Sequence, residues 1–182
     1  MSDLAEEQVE SSLVYDGALL KVRCDKVRLP DGKQAIREYI THPGASVVIA
    51  FLPNGNLLLE RQFRYPLDRV FIEMPAGKID KGETPLQCAR RELLEETGYE
   101  AESWQEVATI HPCIGYSDER LVYFLARDLS FSKKNTDEEE FIEHFELPLA
   151  EAMELVKKGE ITDVKTVTGL FLAEKGWISQ ST

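Results

Sequence analysis

The stretch GKIDKGETPLQCARRELLEETGY, residues 77–99, contains the clearest helix signal in the chain and decides how the rest is interpreted. Thr84 and Gln87 have the spacing of a capping box, and Pro85 stands where the first helical residue belongs. Apolar residues then recur at helical spacing as far as Gly98, which has the position of a C-terminal cap. The pattern predicts one helix that begins after Thr84 and ends at Gly98.

This helix carries several carboxylates on one face. Glu92 and Glu96 are four residues apart, so their side chains share a face, and Glu95 flanks it. Like charges at this spacing repel, and a cation between them would remove that cost. Oxygen ligands favour a hard ion such as Mg²⁺ or Mn²⁺, and Glu83 precedes the helix on a loop that can fold back toward it. The alternative is a solvated acidic face, which is the commoner explanation for the run RELLEE alone.

The whole segment resembles the Nudix box, whose pattern is a glycine, a glutamate and then R-E-aliphatic-x-E-E-x-G-aliphatic. Only Tyr99 departs from that pattern, and it keeps an apolar ring where an aliphatic residue is usual. The resemblance implies a fold of the α+β class, an α/β/α sandwich in which the box helix lies beside a mixed sheet. It also implies a Nudix hydrolase that cuts a nucleoside diphosphate linked to another group. The matching positions are Gly77, Glu83, Arg91, Glu92, Leu93, Glu95, Glu96 and Gly98.

The same resemblance implies roles for individual residues. Glu92 and Glu96 would be the main metal ligands, and Arg91 would orient the glutamates through salt bridges. The implied cofactor is Mg²⁺, with Mn²⁺ as a substitute. The full set of implied metal-binding residues is Ala76 (through its carbonyl), Glu83, Glu92, Glu95 and Glu96.

The chain outside the box resembles the ADP-ribose pyrophosphatase branch of this family, over roughly residues 15–176. The runs that carry this likeness are residues 60–66, 73–77 and 111–120, and Pro112 follows the box as a proline does in members that prefer ADP-ribose. The branch implies hydrolysis of ADP-ribose to AMP and ribose 5-phosphate. One alternative is a nucleoside diphosphate sugar of the GDP-mannose type. A second is a nucleotide-sensing domain without catalysis, although such domains usually lose box glutamates.

Three residues outside the box are candidates for substrate binding. Arg64 can pair with a phosphate as a fork, and Arg37 lies on an upstream strand from which it can reach the nucleotide. Taken alone, each arginine is more often a surface residue. By resemblance, Arg64 matches a diphosphate-binding position, and Glu119 matches a position near the terminal ribose.

The acidic run Asp137-Glu138-Glu139-Glu140 lies in the polar stretch 132–143, which the sequence predicts to be a loop. From composition alone the run is a solvated charge cluster. The branch places a catalytic base on this loop, where a carboxylate can take a proton from the attacking water. Glu138 is the first choice for that base and Glu140 the second, with Glu95 and Arg91 completing the candidate catalytic residues.

The remaining chain is predicted to be strands followed by helices. Residues 1–12 are a polar tail or a short edge strand, and strands separated by Asp-Gly and Asn-Gly turns continue to Arg64. Later strands are expected at residues 106–111 and 121–126. Two closing helices are expected, from Leu149 to Lys158 and from Asp163 as N-cap to Gly176. The expected division is a strand region, residues 1–45, and a Nudix domain, residues 46–182. The branch resemblance implies a homodimer, and the strand region suits the part that reaches the partner.

Composition limits the partners and the compartment. The net charge of −12 repels nucleic acid and anionic membrane, so neither is an expected partner. The resemblance implies that the partner is a small-molecule nucleotide substrate. The longest apolar run, residues 47–52, is too short to span a bilayer. Three cysteines without a CxxC pair favour reduced thiols in the cytoplasm, and nothing in the sequence supports covalent catalysis by a thiol.

Overall fold

A computed structural model describes residues 4–132 and 141–175 of the 182-residue chain. The chain divides into two compact units. The N-terminal unit comprises the chain up to Pro43 together with residues His111–Arg120. The larger unit comprises Gly44–Ile110 and the chain from Leu121 onward.

Three strands form the antiparallel sheet of the N-terminal unit, in the order β1-β2-β3. They are β1 (Glu7–Asp16), β2 (Lys21–Arg28) and β3 (Gln34–Thr41). Much of the predicted tail is therefore an edge strand, and it continues for ten residues rather than forming a short piece. Because almost every position of β1 is exposed, the strand lacks the apolar alternation by which a strand is recognised in a sequence.

The larger unit contains two sheets. One is three-stranded and antiparallel, in the order β10-β5-β6; the other is four-stranded, in the order β7-β4-β9-β8. The second sheet is mixed, because β4 runs parallel to β9 and antiparallel to β7. The strands are β4 (Ala45–Ala50), β5 (Leu57–Arg64), β6 (Arg69–Glu73), β7 (Ala76–Lys78), β8 (Tyr99–Ile110), β9 (Leu121–Phe131) and β10 (Ile142–Leu147).

The helices begin and end where local chemistry predicts, with one exception. Helix α1 (Pro85–Glu92) has the complete capping box, α2 (Leu149–Lys158) ends at Gly159, and α3 (Val164–Glu174) begins after Asp163. The exception is residues Leu93–Thr97, which form a π-helical turn rather than a continuation of α1. Gly98 then adopts φ 78°, which suits glycine. The predicted end at Gly176 lies outside the described residues.

The core has two layers, one on each face of the mixed sheet. Val47 and Ile49 of β4 pack with buried residues of α2 and α3 on one face. Val48 and Ala50 pack with residues of α1 and its π turn on the other. This alternation confirms the predicted α/β/α sandwich of the α+β class. No helix in the described ranges has both the length and the apolar character needed to cross a bilayer.

Two strand predictions were too short, and part of one loop prediction was wrong. β8 begins at Tyr99 rather than residue 106, and β9 continues to Phe131. Within the stretch predicted to be a loop, Ile142 and Glu143 belong to β10, where they pair with Gln62 and Arg61. Residues 133–140 lie outside the described part of the chain.

Candidate active site

Arg91 brings three box glutamates together. Its Nε and Nη2 each donate to Glu83 at 3.0 Å, and its Nη1 donates to Glu92 at 2.6 Å and to Glu95 at 3.0 Å. Hydrogen bonding to Glu83 is the main cause that raises the pKa of Arg91, although burial opposes it. The same hydrogen bonds lower the pKa of Glu83. The guanidinium therefore neutralises a cluster whose carboxylates would otherwise repel one another.

Glu92 and Glu96 lie against consecutive residues of β7. A Cβ atom placed on Gly77 would come within 1.8 Å of Glu92 Oε1, so the missing side chain makes room for that carboxylate. Glu96 is only 5% exposed, and its Oε2 accepts a hydrogen bond from the Ala76 amide at 3.0 Å. The short strand β7 thus brings the two glutamates to one side of the mixed sheet, although Glu96 lies in the π turn.

The chemistry of these donors fits a hard divalent cation. Within the described ranges, no three His, Cys, Asp or Glu side chains are already arranged to hold a metal. The groups beside β7 are nevertheless carboxylate oxygens, which Mg²⁺ and Mn²⁺ prefer. The Glu92 carboxylate occupies the space that a side chain at residue 77 would take. The residues predicted to hold the ion are Ala76, Glu83, Glu92, Glu95 and Glu96.

Cys88 of helix α1 lies against strand β7 and has a structural role. Its thiol donates to the carbonyl oxygens of Gly77 at 3.4 Å and Lys78 at 3.3 Å. Burial raises its pKa to about 11. A thiol that stays protonated at neutral pH is a poor nucleophile, so this geometry agrees with a mechanism that uses no covalent thiol step.

Arg64, the predicted diphosphate ligand, forms a bidentate pair with Glu73. Nε donates to Oε1 and Nη2 to Oε2, both at 2.7 Å. Lys165 of α3 also donates to Glu73, and Asp163 accepts from Lys165 at 2.9 Å. Sequence reasoning missed Glu73 and Lys165. Glu73 begins one of the runs that carry the branch likeness, but nothing in the sequence connects Lys165 to it.

The other two predicted substrate residues belong to the N-terminal unit. Arg37 pairs with Glu6 through its Nε at 3.0 Å and also through Nη2. Glu119 Oε1 lies 3.7 Å from His42 Nδ1. The loop that carries Glu119 is tied to the end of β3, because Ile40 donates to the Tyr116 carbonyl and the His42 amide donates to Asp118.

The predicted site residues therefore fall into three groups. The larger unit holds Arg64, and it brings Arg91 and the box glutamates together beside β7. The N-terminal unit holds Arg37 and Glu119. Glu138 and Glu140, the candidates for the base, lie outside the described residues.

Comparison with known proteins identifies the class that this sandwich and its glutamate cluster define. The NUDIX domain profile matches residues 40–168, and the profile of the nucleoside diphosphate sugar hydrolase N-terminal domain matches residues 6–40. The chain belongs to the Nudix hydrolase family, as its box predicted. Enzymes of this family generally use divalent metal ions.

The chain is also similar to individual known proteins over most of its length. The chain is 39% identical to an ADP-ribose pyrophosphatase of Bacillus subtilis (strain 168), over 91% of each chain. It is also 39% identical to a methanol dehydrogenase activator of Bacillus methanolicus, over 92% of each. A crystal structure described as an ADP compounds hydrolase has a TM-score of 0.88 and covers 100% of this chain and 99% of its own, at 22% identity. That last likeness supports the fold alone.

Proposed function

We propose that this Nudix hydrolase cleaves the diphosphate bond of ADP-ribose in a Mg²⁺-dependent reaction that yields AMP and ribose 5-phosphate. The observation that carries the proposal is the arrangement of Glu92 and Glu96 against β7, with Arg91 bound to Glu92, Glu95 and Glu83. The likeness to an ADP-ribose pyrophosphatase over 91% of both chains favours this substrate.

The division of work follows from residue type. Mg²⁺ held by the box glutamates would neutralise the diphosphate and stabilise charge in the transition state. Arg91 keeps the glutamates together, and Arg64 binds the diphosphate. Arg37 contacts the nucleotide, and Glu119 accepts hydrogen bonds from the terminal ribose. Glu138 takes the proton of the attacking water, with Glu140 as the second candidate.

A nucleoside diphosphate sugar of the GDP-mannose type is the second candidate substrate. The match of residues 6–40 to the nucleoside diphosphate sugar hydrolase N-terminal domain favours it. A sensing domain without catalysis is disfavoured, because Glu83, Glu92, Glu95 and Glu96 are all present and Arg91 binds three of them.

A substrate panel tests this assignment. Purified protein with Mg²⁺ is incubated with ADP-ribose, GDP-mannose and free ADP, and the products are separated by ion-exchange chromatography. We expect the highest kcat/KM with ADP-ribose and equal amounts of AMP and ribose 5-phosphate. A higher kcat/KM with GDP-mannose would favour the second candidate, and no cleavage of any substrate would overturn the proposal.

We also propose that the protein is a homodimer joined through its strand region. The support is that the N-terminal unit exposes several large apolar side chains on and beside its sheet, where a partner subunit can cover them. The exposed residues there include Val9, Leu13, Val14, Leu20 and Ile36. Light scattering at micromolar concentration should give twice the chain mass, and Val14→Glu should shift it toward the monomer. A wild-type monomer with full activity would contradict this proposal.

We also propose that the protein is located in the cytoplasm, because its cysteines are free thiols. Cys24, Cys88 and Cys113 are all free. Free thiols persist where the environment is reducing, which supports the proposed cytoplasmic location. Locating a tagged chain by cell fractionation tests it, and recovery outside the cytoplasmic fraction would contradict it.

A further inference from the structure

Arg64 uses only one edge of its guanidinium within the protein. Nε and Nη2 form the edge that Glu73 binds, with both distances at 2.7 Å. The opposite edge includes Nη1, which makes no hydrogen bond to any residue of the described ranges. The side chain is 43% exposed. An arginine held in this way presents its second edge as a fork that matches a phosphate.

We propose that Glu73 is a positioning residue, which fixes Arg64 so that its outer edge binds the diphosphate of the substrate, and that Lys165 in turn fixes Glu73. The proposal rests on the proposed function for the identity of the substrate. Glu73 does not touch the reacting groups in this account and acts only through Arg64.

Glu73 is rigid enough for this role because two elements hold it. It is 2% exposed at the end of β6, and Lys165 in the first turn of α3 donates to it. That turn is itself docked on β6, since the Met74 amide donates to Thr166 Oγ at 2.9 Å and Thr166 Oγ donates to Asp163 at 2.7 Å. A carboxylate fixed from both sides restricts an arginine side chain that would otherwise lose much rotamer entropy on binding a ligand.

The charges in this cluster keep Glu73 ionised. Burial alone would raise its pKa, but hydrogen bonding to Arg64 and the charge of Lys165 outweigh burial and lower it. The pairing with Glu73 likewise raises the pKa of Arg64. Both partners therefore carry full charge at neutral pH, which is the state in which their hydrogen bonds are strongest.

The same short segment connects Arg64 to the box glutamates. Glu73 begins the run Glu73-Met74-Pro75-Ala76-Gly77, and Ala76 and Gly77 contact Glu96 and Glu92. One short segment of chain thus contacts both the arginine that would hold the phosphates and the carboxylates that would hold the metal. Because Glu73 fixes the guanidinium before the substrate binds, a displaced Glu73 should weaken substrate binding.

A double-mutant cycle tests the proposal. Four proteins are compared: wild type, Glu73→Gln, Arg64→Ala and the double variant. The readouts are KM and kcat for ADP-ribose and the Kd for ADP by calorimetry. Arg64→Ala should raise KM and Kd on the order of 10- to 100-fold, as expected for lost hydrogen bonds to a charged group. Glu73→Gln should reproduce most of that loss with kcat little changed, and adding it to Arg64→Ala should cost nothing more.

Further variants keep the test decisive if Glu73→Gln does not fold. Lys165→Met should raise the Kd for ADP by several-fold. Lys165→Arg, which keeps the positive charge beside Glu73, should have a Kd close to that of wild type. The matched control is Lys157→Met, which removes an exposed lysine paired with Glu154 on α2 and should change neither constant. Additive effects of Glu73→Gln and Arg64→Ala, or an unchanged Kd in both Glu73→Gln and Lys165→Met, would overturn the proposal. If wild type binds ADP but does not cleave ADP-ribose, the proposed function fails while the calorimetry still decides the role of Glu73.

Discussion

Gly77 shows at the scale of a single residue why the box begins with glycine. A Cβ at this position would lie 1.8 Å from Glu92 Oε1 and 2.0 Å from its Cδ. Because the obstructing atoms are the end of a flexible side chain, the backbone can stay in place while the carboxylate is displaced. We predict that Gly77→Ala lowers kcat/KM on the order of 100-fold while the melting temperature changes little. Steady-state kinetics and thermal unfolding measure the two effects.

The double variant with Glu92→Gln shows whether displacement of Glu92 is the cause. If Gly77→Ala acts through Glu92, it should add almost nothing to the loss that Glu92→Gln already causes. Fully additive losses, or a large fall in melting temperature for Gly77→Ala alone, would mean that the glycine serves the backbone instead.

Substitution of either glutamate beside β7 should lower activity, whereas substitution of a surface glutamate should not. Glu92→Gln and Glu96→Gln keep shape and remove one negative charge, so each should lower kcat by roughly 10²-fold or more. Extra Mg²⁺ should recover part of the loss, because metal affinity is part of what was removed. The measurement is kcat over a Mg²⁺ titration, with the exposed Glu106→Gln as control. Equal activity of Glu106→Gln and Glu92→Gln would remove these glutamates from the mechanism.

At the scale of the element, helix α1 depends on its capping box. The Gln87 amide donates to Thr84 Oγ1 at 3.3 Å, and the Thr84 amide donates to Gln87 Oε1 at 2.8 Å. Thr84→Ala should cost about 1 kcal/mol of unfolding free energy. For a protein of this size, that lowers the melting temperature by about 2–4 °C. Calorimetry measures it, and an unchanged melting temperature would show that tertiary packing alone holds the first turn.

Elements whose signals are local were predictable, whereas those that depend on distant chain were not. Thr84, Gly159 and Asp163 mark helix ends through chemistry within a few residues, and all three predictions are confirmed. β10 was missed at Ile142, because its pairing with β5 joins residues far apart in sequence. The π turn at Leu93 leaves no mark in the apolar periodicity, so a continuous α-helix was predicted instead.

The candidate site likewise has a part that the sequence predicts and a part that only the fold brings together. Box residues such as Glu92 and Arg91 follow from a motif of fixed spacing. The Arg64–Glu73–Lys165 cluster depends on β5, β6 and α3 meeting in space, and no pattern within one element indicates it. Substitution of Glu73 therefore tests contacts with Arg64 and Lys165 that the fold shows and that no sequence pattern indicates.

At the scale of the whole molecule, we expect acid to lower the free energy of unfolding, partly through protonation of Glu73. The pKa of Glu73 is lowered in the folded protein. Its contribution is therefore fully present above the ordinary carboxyl pKa of about 4.3 and is lost as the pH falls through the lower folded pKa. Below about pH 4.3, we expect the free energy of unfolding to fall with pH more steeply in wild type than in Glu73→Gln.

Denaturant unfolding at a series of pH values measures this difference. The net charge of −12 also changes over the same range, but it does so almost equally in both proteins, so the comparison isolates Glu73. Glu154→Gln, which alters an exposed pair, should follow the wild-type curve. Parallel curves for wild type and Glu73→Gln would show that Glu73 does not stabilise the fold as a carboxylate.

The central claim is that the glutamates gathered beside β7 form a metal-dependent site that hydrolyses a nucleoside diphosphate. The most direct measurement is the rate of AMP release from ADP-ribose by the wild-type protein in Mg²⁺, after complete chelation by EDTA, and after excess Mg²⁺ is restored. We predict turnover in Mg²⁺, none after chelation and full recovery on restoration, with Glu92→Gln strongly reduced throughout. Undiminished turnover after complete metal removal, or a Glu92→Gln variant as active as wild type, would contradict the account.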